Sequence, residues 1–150
     1  HRVDRRQRQM CIRDRRYRDY TIRQLCQEMH DLYVSFNVKD LQKAMFREES
    51  LPAVVMNPQD ANQEYIRGNV ELVRIRDAEG RIAAEGALPY PPGVLCVVPG
   101  EVWGGAVQRY FLALEEGINM LPGFSPELQG VYSEKDADGI KRLYGYVLNV

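Results

Sequence analysis

The segment ALPYPPGVLCVVPGE, Ala87 to Glu101, packs four prolines and two glycines into fifteen positions beside a strongly apolar run. Proline locks φ and has no N–H to donate, and a residue before proline is pushed into an extended conformation. Leu88 to Pro92 is therefore close to a rigid rod that can give little to any β-ladder. Pro89, Pro91 and Pro92 surround one tyrosine, Tyr90, and Gly93 follows them. Two readings are open: the prolines end one strand and begin another, or they hold an aromatic ring at an interface.

Around this rod the apolar spacing predicts helices and antiparallel strands in separate blocks. Ile22, Leu25, Met29, Leu32, Tyr33 and Phe36 recur at helical spacing behind Thr21, a suitable N-cap. Asn37 interrupts the pattern, and Val38 to Phe46 reads as a second short helix. Ala53 to Met56 reads as a short strand. A helix follows, with Asn57 at its N-cap, Pro58 in its first turn and Gly68 just past its end. Val73 and Ile75 alternate with Arg74 and Arg76 before the turn residues DAEG, and Arg81 to Gly86 returns as a hairpin would.

The run Val94 to Val98 is short, apolar and bounded by Gly93 and Pro99, as expected of a buried strand. GGAVQRYFLALEEGINM reads as a helix with Val107, Tyr110, Phe111 and Leu114 on its core face and its end at Glu115–Gly117. LPGFSPELQG is irregular, and the last twenty residues are two strands around a polar turn. The DADG within that turn resembles a calcium loop but lacks the downstream glutamate and the ladder of ligands. A hairpin turn is the better reading. Without a repeated strand–helix alternation the class is α+β, a compact domain of antiparallel strands and hairpins with several helices.

A chain of 150 residues is long enough to bury the core of one domain. No apolar stretch approaches a membrane span and no signal-peptide pattern opens the chain. Cys11, Cys26 and Cys96 are odd in number and widely spaced, which suits a reducing cytoplasm. Residues 1–16 carry seven arginines and two aspartates, which leaves 13 basic against 19 acidic residues elsewhere. Such a block reads as a nucleic-acid-binding arm, as a disordered tail or as foreign sequence. MCIRDR, Met10 to Arg15, resembles the translation of a sequencing-library adaptor, so 1–16 is taken as a disordered, artefactual tail and 17–150 as the domain. On that reading neither nucleic acid nor membrane is a partner.

No self-contained active site is legible. Phosphate loops, dinucleotide fingerprints, H-E-x-x-H, paired-cysteine zinc patterns and G-x-S-x-G are all missing from the sequence. There are two histidines, and His30, on the first helix, lacks partners for a metal site. Lys39, Lys43, Lys135 and Lys141 lie in polar contexts unsuited to a desolvated Schiff-base lysine. No catalytic and no metal-binding residue is assigned. The features that suit an interface are Tyr90, Glu101 and the single tryptophan, Trp103.

Three stretches, RYRDYTIRQLCQEMHDLYVSF, GRIAAEGALPYPPGVLCVVPGEVW and GINMLPGFSPELQGVY, closely resemble the C-terminal domain of the pyridoxal-phosphate-dependent ornithine/lysine/arginine decarboxylases. The resemblance runs from about Tyr17 to Val147. Leu95, where lysine and arginine members generally have proline, places it nearer the biosynthetic ornithine branch. It implies a part of a longer enzyme that removes CO₂ from L-ornithine to give putrescine for polyamine synthesis. The cofactor lysine would then lie upstream, in a chain with wing, cofactor-binding and small domains that assembles as a homo-oligomer. This piece would bind no cofactor and be inactive alone. The resemblance further implies that Tyr90 lines the substrate channel, held by Pro89, Pro91, Pro92 and Gly93. Glu101 would favour a cationic substrate or receive an arginine of a neighbouring domain, and Trp103 would pack at an interface. A stand-alone, non-catalytic assembly module of the same fold is the alternative.

Overall fold

The computed structural model describes residues 19–90, 92–121 and 123–150; the arginine block and Pro91 lie outside them. Helix α1, Ile22–Ser35, starts at Thr21, whose side chain accepts from the Gln24 N–H while Gln24 reaches back to the Thr21 N–H. This reciprocal box satisfies two N–H groups that a helix start leaves without partners. Asn37, at φ 51°, takes the left-handed turn that separates α1 from α2, Val38–Ala44. Helix α3, Pro58–Arg67, carries the expected ends: Asn57 caps through the Gln59 N–H, Pro58 opens the first turn and Gly68 stops the helix at φ 81°.

Helix α4, Gly105–Met120, is the centre of the domain. It packs on α2 and on the strand β5, Lys141–Leu148, and buries Val107, Tyr110, Phe111 and Leu114. Trp103, Phe111, Ile75, Leu143 and Val147 form the heart of the core, with the Trp103 and Phe111 rings edge to face at 5.6 Å. Two buried polar side chains pin α4 to the backbone around it. Gln108 Nε2 donates to the Ile75 carbonyl at 2.7 Å, and Glu115 Oε2 accepts the Leu143 N–H at 2.6 Å. Arg142 lies against the other Glu115 oxygen at 3.5 Å and donates to Asp136 at 3.0 Å.

The sheets are antiparallel, as the α+β class requires. One has the order β1–β5–β4, with β1 Val70–Arg74 and β4 Tyr132–Lys135; the other pairs β2, Leu88–Tyr90, with β3, Glu127–Gln129. The polar turn between β4 and β5 is the expected hairpin turn, its Asp136 carboxylate accepting the Asp138 and Ile140 N–H groups.

Several local expectations give way to longer-range packing. The hairpin expected around DAEG does not form. Strand β1 ends at Arg74, and Ile75–Asp77 curls into a 3₁₀ turn that sinks Ile75 into the core. The partner of β1 is β5, Val70 opposite Leu148, while Ile82 and Ala83 bridge Val102 and Val147. Residues 53–56 make one bridge, Val54 to Glu101, flanked by the Val102 N–H donating to the Ala53 carbonyl and by the Val55 and Met56 N–H groups both donating to the Gly100 carbonyl. In the run 94–98 only Cys96 and Val97 are buried, and Val94 and Leu95 face outward. Helix α4 continues past Gly117, whose missing side chain admits the Phe124 ring rather than ending the helix. The irregular segment after α4 contains β3, and α2 stops at Ala44 instead of Phe46.

Candidate functional site

The proline-rich rod becomes a projecting loop with a fixed base. Ala87 donates to the Val97 carbonyl at 3.0 Å and accepts from the Cys96 N–H at 2.9 Å, closing residues 88–95 into an ear. The first arm of the ear is β2, which pairs Leu88 with Gln129, Pro89 with Leu128 and Tyr90 with Glu127. Pro89 has no N–H, so the ladder bonds fall on Leu88 and Tyr90, the alternate positions of an antiparallel pair. The rod thus contributes a three-residue ladder, more than its prolines suggested. At its foot Gly130, φ +69°, lies against the Gly86 carbonyl, and any Cβ there would collide with that oxygen.

The tip is closed by the Gly93 N–H donating to the Pro89 carbonyl at 3.1 Å. Gly93 sits at φ +81°, and a Cβ on it would lie 3.1 Å from Tyr90 Cδ2. Its bare backbone is where the Tyr90 ring rests. Pro89 is buried, Pro92 is exposed, and Tyr90 leaves 52% of its surface to solvent beside the exposed Val94 and Leu95. The loop therefore presents an apolar, aromatic tip on a stiff base.

The other expected residues are not gathered at this tip. Glu101 belongs to the turn after the ear, where its Oε2 accepts the Val98 N–H at 2.7 Å while its own N–H donates to the Val98 carbonyl. That carboxylate is partly spent on holding its own turn. Trp103 corrects the expectation of an interface residue. It is 2% exposed, edge to face with Phe111 and close to Gly145, and its indole N–H has no partner among the described residues. Its ring area is consumed inside this domain.

The residues present do not fit pyridoxal phosphate. Lys39, Lys43 and Lys135 are exposed and Lys141 is half-buried, so no lysine is desolvated. A cavity of about 280 Å³ lies between α1 and the end of α4, but Glu28 and Asp31 line it along with Leu32, Ser35, Met120 and Leu121. A lining that holds two carboxylates and, among the described residues, no lysine or arginine does not attract a phosphate-bearing group. Burial pushes the Cys96 thiol up to about 11, which leaves it protonated at neutral pH and unsuited to nucleophilic work. His30 is exposed, and among the described residues no group of histidines, cysteines and carboxylates has the geometry of a metal site.

One cluster has no counterpart in the sequence reading. Tyr65 of α3, Tyr146 of β5 and Tyr132 of β4 stack in series, each successive pair edge to face at 5.5 Å. The Tyr132 hydroxyl donates to Glu85 Oε2 at 2.8 Å. Burial, and after it the Glu85 carboxylate, raise the Tyr132 and Tyr65 hydroxyls above the usual tyrosine range. The four residues come from four separate segments, and no local spacing announces them.

Residues 39–149 match the family described as the Orn/Lys/Arg decarboxylase C-terminal domain. The chain is 90% identical over 133 residues to the constitutive ornithine decarboxylase of Escherichia coli K12, covering 89% of this chain and 19% of that protein. It is 73% identical over 135 residues to the inducible ornithine decarboxylase of the same strain, covering 90% and 18%. Among solved structures it is similar to the constitutive lysine decarboxylase of E. coli, with a TM-score of 0.73 at 32% identity, over 88% of this chain and 18% of that one. The chain spans less than a fifth of the length of the curated relatives it matches.

Proposed function

The chain belongs to the Orn/Lys/Arg decarboxylase family as its C-terminal domain, and from that premise we propose that it serves an ornithine decarboxylase, forming putrescine and CO₂ from L-ornithine in the cytoplasm. The observation that carries this reading is the much higher identity to ornithine than to lysine decarboxylases. The pyridoxal phosphate that supplies the electron sink for decarboxylation is held by upstream parts of the polypeptide, since the residues of this domain do not fit it. The enzyme is a homo-oligomer, at least a dimer, in which this domain helps to build the active-site entrance.

Tyr90 is the residue assigned to that entrance. A ring already seated on Gly93 and carried by a proline-stiffened arm has little freedom left to lose when a substrate passes, which is the advantage of preorganisation. Its exposed apolar surface suits a wall that excludes water from the diamine end of the substrate. Glu101, half-buried at the next turn, contributes negative potential that attracts a cationic substrate.

The test is made in a full-length enzyme carrying this domain. Tyr90→Ala is expected to lower kcat/KM for ornithine about ten- to a hundredfold, equivalent to roughly 1.4–2.7 kcal/mol of transition-state stabilisation. Tyr90→Phe should stay near normal if the ring acts as a wall. The 150-residue chain alone should release no CO₂ from ornithine, lysine or arginine with pyridoxal phosphate added. Normal kcat/KM in a folded Tyr90→Ala enzyme removes Tyr90 from the entrance, and a full-length enzyme that prefers lysine over ornithine overturns the substrate assignment.

A further inference from the structure

Glu85 is a half-buried carboxylate whose hydrogen-bond partner is a neutral hydroxyl, that of Tyr132, and it enters no ion pair among the described residues. Four other buried or half-buried carboxylates are answered by cations or backbone N–H groups. Glu115 has Arg142 and the Leu143 amide, Asp136 has Arg142 and two amides, Glu64 has Arg67, and Glu101 has the Val98 amide. A glutamine could also accept the Tyr132 hydroxyl, though more weakly, so that bond does not by itself require a charge at position 85. A partly desolvated charge without a counter-ion is unfavourable, and one bonded to Tyr132, a member of a cluster of three tyrosine rings, is suited to a cation, which ring faces attract.

We propose that Glu85, Tyr65, Tyr132 and Tyr146 form a binding site for an aliphatic ammonium ion. The ammonium group meets Glu85 Oε1, the oxygen that Tyr132 does not use, in a charge-assisted hydrogen bond. The carbon chain lies on the Tyr132 ring, which is 40% exposed and so accessible from solvent. Tyr146, between the other two rings, fixes their orientation. The Tyr132 and Tyr65 hydroxyls, raised above the usual tyrosine range by burial, stay protonated at neutral pH and add no charge that would compete with the ligand. The site stands independently of the role given to Tyr90.

The full chain is titrated with putrescine and, in parallel, with butanediol, which replaces both ammonium groups by hydroxyls. The ring resonances of Tyr132 and Tyr146 are followed by NMR. Putrescine is expected to give saturable shifts with Kd on the order of 1 mM, and butanediol none. Glu85→Gln keeps an acceptor for Tyr132, so its thermal midpoint should hold while the affinity falls at least tenfold. Absence of saturation with putrescine, equal shifts with the diol, or undiminished affinity in folded Glu85→Gln overturns the proposal. The amine–diol comparison decides in the unsubstituted chain even if the variant does not fold.

Discussion

Tyrosine is held in two different ways in this domain. Tyr90 is positioned by the backbone: a buried proline before it, a short ladder to β3 and a glycine under its ring, with half of its own surface left bare. Tyr65, Tyr132 and Tyr146 are positioned by one another, ring edge on ring face, with the Glu85 carboxylate on the Tyr132 hydroxyl. In the first arrangement the side chain can be removed without releasing the loop. In the second the side chains are the structure.

The largest expected effect lies at the foot of the backbone-built loop. Gly130→Ala places a methyl group against the Gly86 carbonyl at a left-handed φ. Overpacking and αL strain together should cost about 2–4 kcal/mol in urea unfolding. A loss below about 0.5 kcal/mol would mean that the crossing of Gly86 and Gly130 is not what anchors the ear.

Tyr146→Ala comes next, because it removes the ring that both of its neighbours touch. The residue is half-buried, so the loss should be near 2 kcal/mol, below the 3–5 kcal/mol of a fully buried aromatic. Tyr132→Phe, which deletes only the hydroxyl, should cost about 1 kcal/mol. Its alkaline behaviour gives a second reading. The folded protein raises the Tyr132 hydroxyl above its usual range through burial and the Glu85 contact. The protonated form is thus favoured by folding, and the associated stability is present below pH ~10 and lost as pH rises through the higher folded value. In Tyr132→Phe the alkaline loss of stability should become shallower, as a thermal-midpoint series against pH would record.

Tyr90→Ala is the smallest. With its ring on the surface, unfolding free energy should change by no more than about 0.5 kcal/mol. A drop comparable to that of Tyr146→Ala would erase the contrast between the two arrangements.

The legibility of these features in the sequence follows the same division. The Thr21 box, the Asn57–Pro58–Gly68 helix ends and the core face of α4 depend on neighbours a few residues apart, and their residue types announce them. The extended backbone at Tyr90 belongs with these, since Pro89 stands next to it, whereas its ladder to β3 depends on a segment far along the chain. The hairpin at DAEG was misread because alternation in Val73–Arg76 identifies a strand but not its partner, which is β5 at the far end of the chain. Gly117 looked like a helix stop, yet it serves the approach of Phe124 from outside the helix. Trp103 and Glu85 were beyond reach for the same reason: core and cluster are assembled from distant segments.

The two polar pins on α4 set what can vary around it. Gln108 and Glu115 are two helical turns apart, and each grips main chain, the Ile75 carbonyl and the Leu143 amide. A grip on main chain is blind to the side chain that the strand carries. Leu143 can be exchanged for another apolar residue of similar volume without letting the helix slip, whereas proline at that position would remove the amide and leave the Glu115 carboxylate with Arg142 alone. Helix and sheet are keyed together like a shaft and its collar, so their alignment can persist while the residues between them drift.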